Sequence, residues 1–275
     1  MSTVTGAPVV VGVDGSARGL AAAAAAAEEA ALRHRPLVVV HALVWIPAGA
    51  ATDPVMAPPA HETYEEQGQA YVDKAVALAA RSAPGIRITG RVVPGAPSAV
   101  LVDESRRADL LVVGDSGVGV VAGMVAGSVA MHAAKHGSCP VLVVRGANRA
   151  GAPVVVGVDG SAASAETVVF AAEEAAGRDA QLVALHACSG DGAGRAEQVL
   201  AESLGGLAEK YPGLQVGWQV RKGSARRLLT GWSRLAQLVV VGNHGGGFAG
   251  MPLGSVGRHL VDHAGCPVAV VRRRA

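Results

Sequence analysis

The chain has 275 residues, of which 50% are hydrophobic, 3% aromatic and 17% charged, with a formal net charge of +2. That length suits about two domains, whose cores must be built from Val, Leu, Ile and Ala rather than from rings. So small a charge gives no footing for a nucleic-acid partner. No apolar run approaches the roughly 20 residues that span a bilayer.

In chain order, the first element is the valine run Val9 to Val13. Such a run without polar alternation suits a strand buried on both faces of a parallel sheet. Asp14-Gly15-Ser16 then supplies a turn and a helix N-cap, and the Ala- and Glu-rich segment Ala21 to Leu32 predicts a helix. A second strand, Leu37 to Leu43, leads into Ile46 to Pro59, a segment rich in Pro and Ala that reads as a surface loop over the mouth of the domain. A helix over 64–80, a strand near Arg87 to Val93, another helix and the strand Asp109 to Gly114 follow. After a glycine-rich loop and a helix, the series closes on Cys139-Pro-Val-Leu-Val-Val-Arg145.

The same series then starts again. The twelve residues GAPVVVGVDGSA, Gly6 to Ala17, recur unchanged from Gly151 to Ala162. The second copy predicts strands at Val154 to Val158, Gln181 to Ala187, Gln215 to Val220, Gln237 to Gly242 and within Cys266 to Arg272. Helices are expected over 162–176 and, as one piece, over 195–210. The copies differ in length chiefly after the second strand, where the second has only the glycine-rich Ser189 to Gly194. A period this long is a whole domain, so the chain reads as a tandem duplication, domain 1 over 1–147 and domain 2 over 148–275, with Gly146 to Gly151 as linker. Strands alternating with helices give an α/β fold: two doubly wound domains, each with a parallel sheet of about five strands.

The three cysteines, Cys139, Cys188 and Cys266, show no framework spacing and are expected as free buried thiols of a reducing compartment. The opening MSTVTGAP has neither a basic region nor an apolar signal core, which points to the cytoplasm. The basic tail Arg272-Arg273-Arg274 reads as a solvated terminus.

In doubly wound sheets, ligands bind beyond the carboxyl ends of the strands. Two loops per copy lie there. One is the Asp-Gly-Ser turn. The other follows Gly114, reading Gly114-Asp-Ser-Gly117, nine residues, then Gly127-Ser128-Val129. Its counterpart reads Gly242-Asn-His-Gly245, eight residues, then Gly254-Ser255-Val256. Glycines allow close backbone approach, and amides at the start of a helix bind phosphate oxygens. Ser128 and Ser255 stand where a hydroxyl either donates to a phosphate or caps the helix. There is no GxxxxGK[ST], and no GxGxxG follows the first strand, so neither a P-loop nor a dinucleotide fingerprint is present. His41 and His186 end buried strands and are expected as hydrogen-bonded core histidines. His244, in the second loop, reads equally as a phosphate contact or a solvated side chain. No other equivalently placed His or Cys is expected to give metal-ligand spacing, so no protein-built metal site is expected.

Together, the Val-run-Asp-Gly-Ser opening, the second strand carrying a His, the G-2x-G-9x-G-[ST] loop and the closing CPVLVV strand resemble the universal stress protein family in its two-domain form. The resemblance covers nearly the whole chain. It implies a strand order of 3-2-1-4-5 in each domain and an ATP site in each. For the first site it implies Gly12, Val13, Asp14 and Ala42 on the adenosine side, with Gly114, Gly117, Gly127, Ser128 and Val129 on the phosphate side. For the second it implies Gly157, Val158, Asp159 and Ala187, then Gly242, Gly245, Gly254, Ser255 and Val256. The second loop is one residue short of the pattern, and Pro252 removes one of its amide donors. Mg²⁺, if bound, is expected on the ATP phosphates rather than on protein ligands. The resemblance further implies that the closing strands Val141 to Val144 and Val268 to Val271 meet across a pseudo-twofold axis, joining the halves as an internal dimer. Association of two chains into a homodimer is left open.

No general base, in-line nucleophile or arginine finger is evident, so the expected role is an ATP-binding regulator of stress or dormancy rather than a fast enzyme. The alternatives are an ATP-independent interaction scaffold, a slow ATPase, or a binder of another adenine nucleotide such as cyclic AMP.

Overall fold

A computed structural model of the chain describes residues 6–44, 61–116, 127–188, 193–243 and 253–272. They divide into two compact units, Met1–Ala133 and Ala134–Ala275.

In the first unit, β1 (Val9–Val13), β2 (Leu37–Leu43), β3 (Ile88–Pro94) and β4 (Leu110–Gly114) form a parallel sheet in the order β3-β2-β1-β4. The central strands are almost wholly apolar, and Val9, Val11, Leu110, Leu111 and Val112 are fully buried. Burial on both faces is the condition that a continuous β-branched run satisfies. Helix α1 (Ala17–Leu32) begins four residues earlier than the alanine run suggested, because Ser16 caps it and accepts from the Gly19 amide at 3.0 Å. Its buried residues are the small Gly19, Ala22, Ala23, Ala26, Ala27 and Ala30, which let the helix lie close on the sheet, together with Glu29, which is paired with Arg33. Helices α2 (His61–Ser82) and α3 (Pro97–Ser105) complete the layer arrangement, with Pro97 in the first turn of α3.

Helix α4 (Ser128–His136) crosses from one unit to the other, and β5 (Val141–Val144) belongs to the second. There β6 (Val154–Gly157), β7 (Leu182–Cys188), β8 (Val216–Lys222), β9 (Leu238–Gly242) and β10 (Val268–Val271) run parallel in the order β8-β7-β6-β9-β10. Numbered within the copy this is 3-2-1-4-5, as expected, and the first unit shows the first four places of the same order. Helices α5 (Ala162–Gly177), α6 (Ala193–Leu204), α7 (Leu207–Lys210), α8 (Ala225–Ser233) and α9 (Ser255–His263) pack around it. The single helix expected over 195–210 is two pieces. Gly205-Gly206 breaks it, and Gly206 takes φ +77° as the cap of α7, a conformation that costs glycine little.

Strand β5 adds to this sheet antiparallel to β10, pairing Val143 with Val268 and Val141 with Val270. Each closing arginine then reaches a helix C-terminus. Arg145 Nη1 donates to the Leu260 carbonyl of α9 at 2.9 Å, and Arg272 Nη2 donates to the Ala134 and Lys135 carbonyls of α4. A guanidinium at a helix C-terminus complements the dipole, and at Leu260 it adds to the bond that the carbonyl already accepts from the Ala264 amide at 2.9 Å. Arg272 is thus tied into the fold rather than being a solvated tail residue; Arg273 and Arg274 lie outside the described residues.

All three cysteines are free and buried. Burial pushes the Cys266 thiol up to about 12, which keeps it protonated. Among the described residues, no helix is long and apolar enough to cross a membrane.

Candidate functional site

In both units the candidate residues that the structure describes lie at the carboxyl ends of the parallel strands or at the helix starts that follow them. Val13 ends β1 opposite His41 of β2, and Ala42 is the next residue along. The chain leaves β1 through an Asx turn. Asp14 Oδ1 accepts from the Ser16 amide at 3.0 Å and from its hydroxyl at 2.6 Å. Asp14 therefore does not cap α1. Ser16 does, and the half-buried carboxylate shapes the turn and aims Ser16 at the helix.

The glycines of this edge answer to different neighbours. Gly15 has φ +81°, and a Cβ there would lie 2.5 Å from the Tyr71 ring of α2, so the turn is left-handed and closed against an aromatic wall. A Cβ at Gly12 would lie 2.6 Å from Leu101 of α3, which makes this position a packing requirement between strand and helix. At Gly114, the end of β4, it would stand 3.0 Å from the Arg18 carbonyl oxygen. The last residue of β4 is thereby pressed on the first turn of α1, and the side chains of Arg18 and Asp115 meet at 3.6 Å. Tyr71 also takes His41 edge-on, at 5.4 Å between centroids, while His41 Nδ1 lies 2.8 Å from the Val13 carbonyl and donates to it. His41 is the hydrogen-bonded histidine that the sequence led one to expect.

The glycine loop is closed by its own backbone. The Gly127 amide donates to the Asp115 carbonyl, and the Met131 amide to the Gly127 carbonyl at 3.2 Å. Gly127 thus stands at the cap position of α4. Ser128, the first helical residue, is exposed, and Val129 is half-buried. Gly117 lies outside the described residues.

The second unit repeats the plan with changed parts. The Gly254 amide donates to the Asn243 carbonyl at 2.7 Å and the Arg258 amide to the Gly254 carbonyl at 3.0 Å, the same two bonds with the first one residue shorter in span. Gly254 is the N-cap of α9, at φ −65° and ψ 160°, and no side chain caps it. Ser255 is therefore not a cap but the first helical residue, and among the described residues no side-chain cap bond is made at this helix start. Gly242 ends β9, and Val256 is half-buried in the first turn of α9. Gly245, His244 and Pro252 lie outside the described residues.

Strand β6 ends at Gly157, where a Cβ would meet Leu229 of α8 at 3.0 Å. Val158 is held by its amide to the Leu185 carbonyl at 3.0 Å. Asp159 Oδ1 accepts from the Ser161 amide at 3.0 Å and from the Ser164 hydroxyl at 2.7 Å, and Ser164 Oγ accepts from the Asp159 amide at 3.2 Å. Ala187 is half-buried near the end of β7. His186 departs from expectation: its Nδ1 is buried with no hydrogen-bond partner among the described residues. The place of Tyr71 is taken by Val199 of α6, which a Cβ at Gly160 would meet at 2.9 Å.

Comparison with known proteins now fixes the family. The model of the "Universal stress protein family" matches residues 7–145 and again 152–272. The chain belongs to the universal stress protein family. Two universal stress proteins of Mycobacterium tuberculosis strain H37Rv are each 38% identical, one over 286 residues with 96% of both chains covered, the other over 290 residues with 96% of this chain and 97% of the relative. One from Mycolicibacterium smegmatis is 34% identical over 288 residues, with 97% of each chain covered. Among solved structures, a universal stress protein from Archaeoglobus fulgidus superposes with a TM-score of 0.73 at 18% identity, over 97% of this chain and 96% of that one, which bears on the fold.

Sequence reasoning missed three features. Tyr71 was read only as a helix residue, although its contact with Gly15 follows from a helix returning over the first turn. Ser164 stands where the first copy has Gly19, a difference visible once the copies are aligned. The pair His132 and His136 also recurs, as His259 and His263, in an otherwise altered helix.

Proposed function

We propose that this universal stress protein binds ATP at both carboxyl edges and acts as a nucleotide-dependent regulator with little or no fast hydrolysis. The observation that carries the reading is the pair of closed loops. In each unit a backbone bond between the residue after the fourth strand and a cap glycine, Asp115 to Gly127 or Asn243 to Gly254, brings a helix N-terminus to the edge of the sheet. In the second, no side chain occupies the helix cap. Amides at such a helix start suit phosphate oxygens, and the Asp turn beside them presents a carboxylate able to accept from a ribose or an adenine amine.

The residues fit a nucleotide. Ser128, Val129, Ser255 and Val256 would hold phosphate with their backbone amides, with the glycine pairs Gly114 and Gly117, and Gly242 and Gly245, shaping the loops. Gly12, Val13, Asp14 and Ala42, with Gly157, Val158, Asp159 and Ala187 in the second unit, would line the adenosine side. Mg²⁺, which keeps much of its hydration, would be held through the ATP phosphates. Bound ATP would act by its differential affinity for two states of the protein. The antiparallel pairing of β5 with β10 supports an internal dimer of the two copies, and a cytoplasmic place suits the ligand.

The test is the nucleotide content of the purified chain after acid release, followed by thermal melting with ATP and Mg²⁺. About two ATP per chain, or stabilisation of about 2.7 kcal/mol at a hundredfold excess over the dissociation constant, is the expected result. No nucleotide and no shift would overturn ATP binding and favour the scaffold. ADP alone would shift the reading to a slow ATPase, and preference for cyclic AMP would replace the ligand.

A further inference from the structure

Helices α4 and α9 occupy the same place in the two copies, yet they have diverged. Serine, valine and two histidines persist: Ser128 and Ser255, Val129 and Val256, His132 and His259, His136 and His263. The first two pairs open the helix at the glycine loop. The histidines have no such place, since His132, His136 and His263 are exposed and His259 is half-buried.

A spacing of four puts two side chains side by side on one helix face. In α9 the rings of His259 and His263 are stacked, 4.5 Å between centroids and 14° between planes. His263 Nδ1 lies 3.1 Å from the His259 carbonyl oxygen. A carbonyl only accepts, so in the neutral ring Nδ1 carries the proton and Nε2 keeps its lone pair. The Nδ1–H of His263 is thus held by a backbone carbonyl. That is the state in which histidine binds a metal. Stabilising a helix C-terminus is the plainer role, but it calls for a protonated ring in the last turn and gives no reason to keep His132 and His259 one turn earlier.

We propose that His259 and His263 chelate a divalent first-row transition ion through two imidazole nitrogens, and that His132 and His136 form the equivalent site on α4. With two protein ligands and water in the remaining positions, each site is open and exchangeable. Nitrogen donors favour Cu²⁺ and Ni²⁺ over Mn²⁺, and Mg²⁺ prefers oxygen.

The test is calorimetric titration of the full-length, tag-free chain, stripped of metal and nucleotide, with NiCl₂ at a pH above the histidine range. About two equivalents should bind, and MgCl₂ should give no heat. His259→Ala should remove one equivalent and leave the other. His132→Ala together with His259→Ala should remove both. Since His259 is half-buried, His263→Gln on the exposed ring is the second variant, expected to weaken the α9 site by about tenfold or more, as loss of an important metal contact does. The proposal is overturned if the wild-type chain takes up no Ni²⁺, or if stoichiometry and affinity are unchanged in the folded double variant and in His263→Gln.

Discussion

The two copies begin with twelve identical residues, yet their carboxyl edges are supported differently. In the first, Asp14 holds Ser16, Ser16 caps α1, His41 is bonded to Val13, and Tyr71 closes over Gly15. In the second, Asp159 holds Ser164, no side chain caps α5, His186 Nδ1 has no hydrogen-bond partner among the described residues, and Val199 stands at Gly160. Identical turn residues therefore do not make identical sites. What differs lies in the residues behind the turn, and these decide how rigidly the carboxylate and the following helix are held.

The largest effect should come from the turn glycines. Alanine at Gly15 must adopt φ near +81°, which costs about 1–2 kcal/mol, and must also displace the Tyr71 ring, adding about 1–3 kcal/mol. At Gly160 the backbone cost is similar, but the neighbour is the smaller Val199 at 2.9 Å. Urea unfolding should show Gly15→Ala as the more destabilising change. A double-mutant cycle with Tyr71→Val should return a coupling of about 1 kcal/mol or more. Equal losses at both glycines, or no coupling to Tyr71, would remove the aromatic wall from the comparison.

The histidines give a smaller contrast of opposite sense. His41→Leu loses the bond to Val13 and leaves a carbonyl without its donor, a cost of about 1–3 kcal/mol. His186→Leu removes a buried nitrogen that has no partner to lose, so stability should stay level or rise. Melting temperatures of the two variants decide it, and a matching loss at His186 would mean that a bound water or ligand supports that ring.

How much of this was legible in advance depends on the range of the interaction. The two-copy plan follows from the exact repeat and the burial of the strands from local pattern, since the continuous apolar runs Val9 to Val13 and Leu110 to Val113 suit burial on both faces; the strand order is implied only by the family resemblance. The places of Gly114, Gly127, Gly242 and Gly254 at strand ends and helix starts were equally readable, because their spacing sets them there. The role of Gly12 was not: its neighbour Leu101 is far along the chain, and only the return of α3 brings them together. The break at Gly205-Gly206 was misread because the flanking residues form helices readily, so composition outweighed two adjacent glycines. Ser128 and Ser255 were left between two roles, and the structure puts the capping position one residue earlier, on a glycine with no side chain to offer.

That last point leads to the finest test, the cap serines Ser16 and Ser161. Both have extended backbone at the N-cap, with φ −69° and −72° and ψ 160°, so neither backbone is strained relative to the other. Only Ser16 spends its hydroxyl on the helix, accepting from Gly19 at 3.0 Å. Ser161 is 3.5 Å from the Ser164 hydroxyl and makes no cap bond. Ser16→Ala should therefore cost about 1 kcal/mol, the ordinary value of a capping side chain. Ser161→Ala should cost a few tenths at most. Chemical denaturation of each single variant resolves that difference, and equal costs would mean that the second cap forms in solution after all. If the difference holds, one helix start is fixed by the chain's own hydroxyl while the other keeps its amides without one. An anion at the second turn would then gain more from ordering that helix, since the first has already been ordered by Ser16.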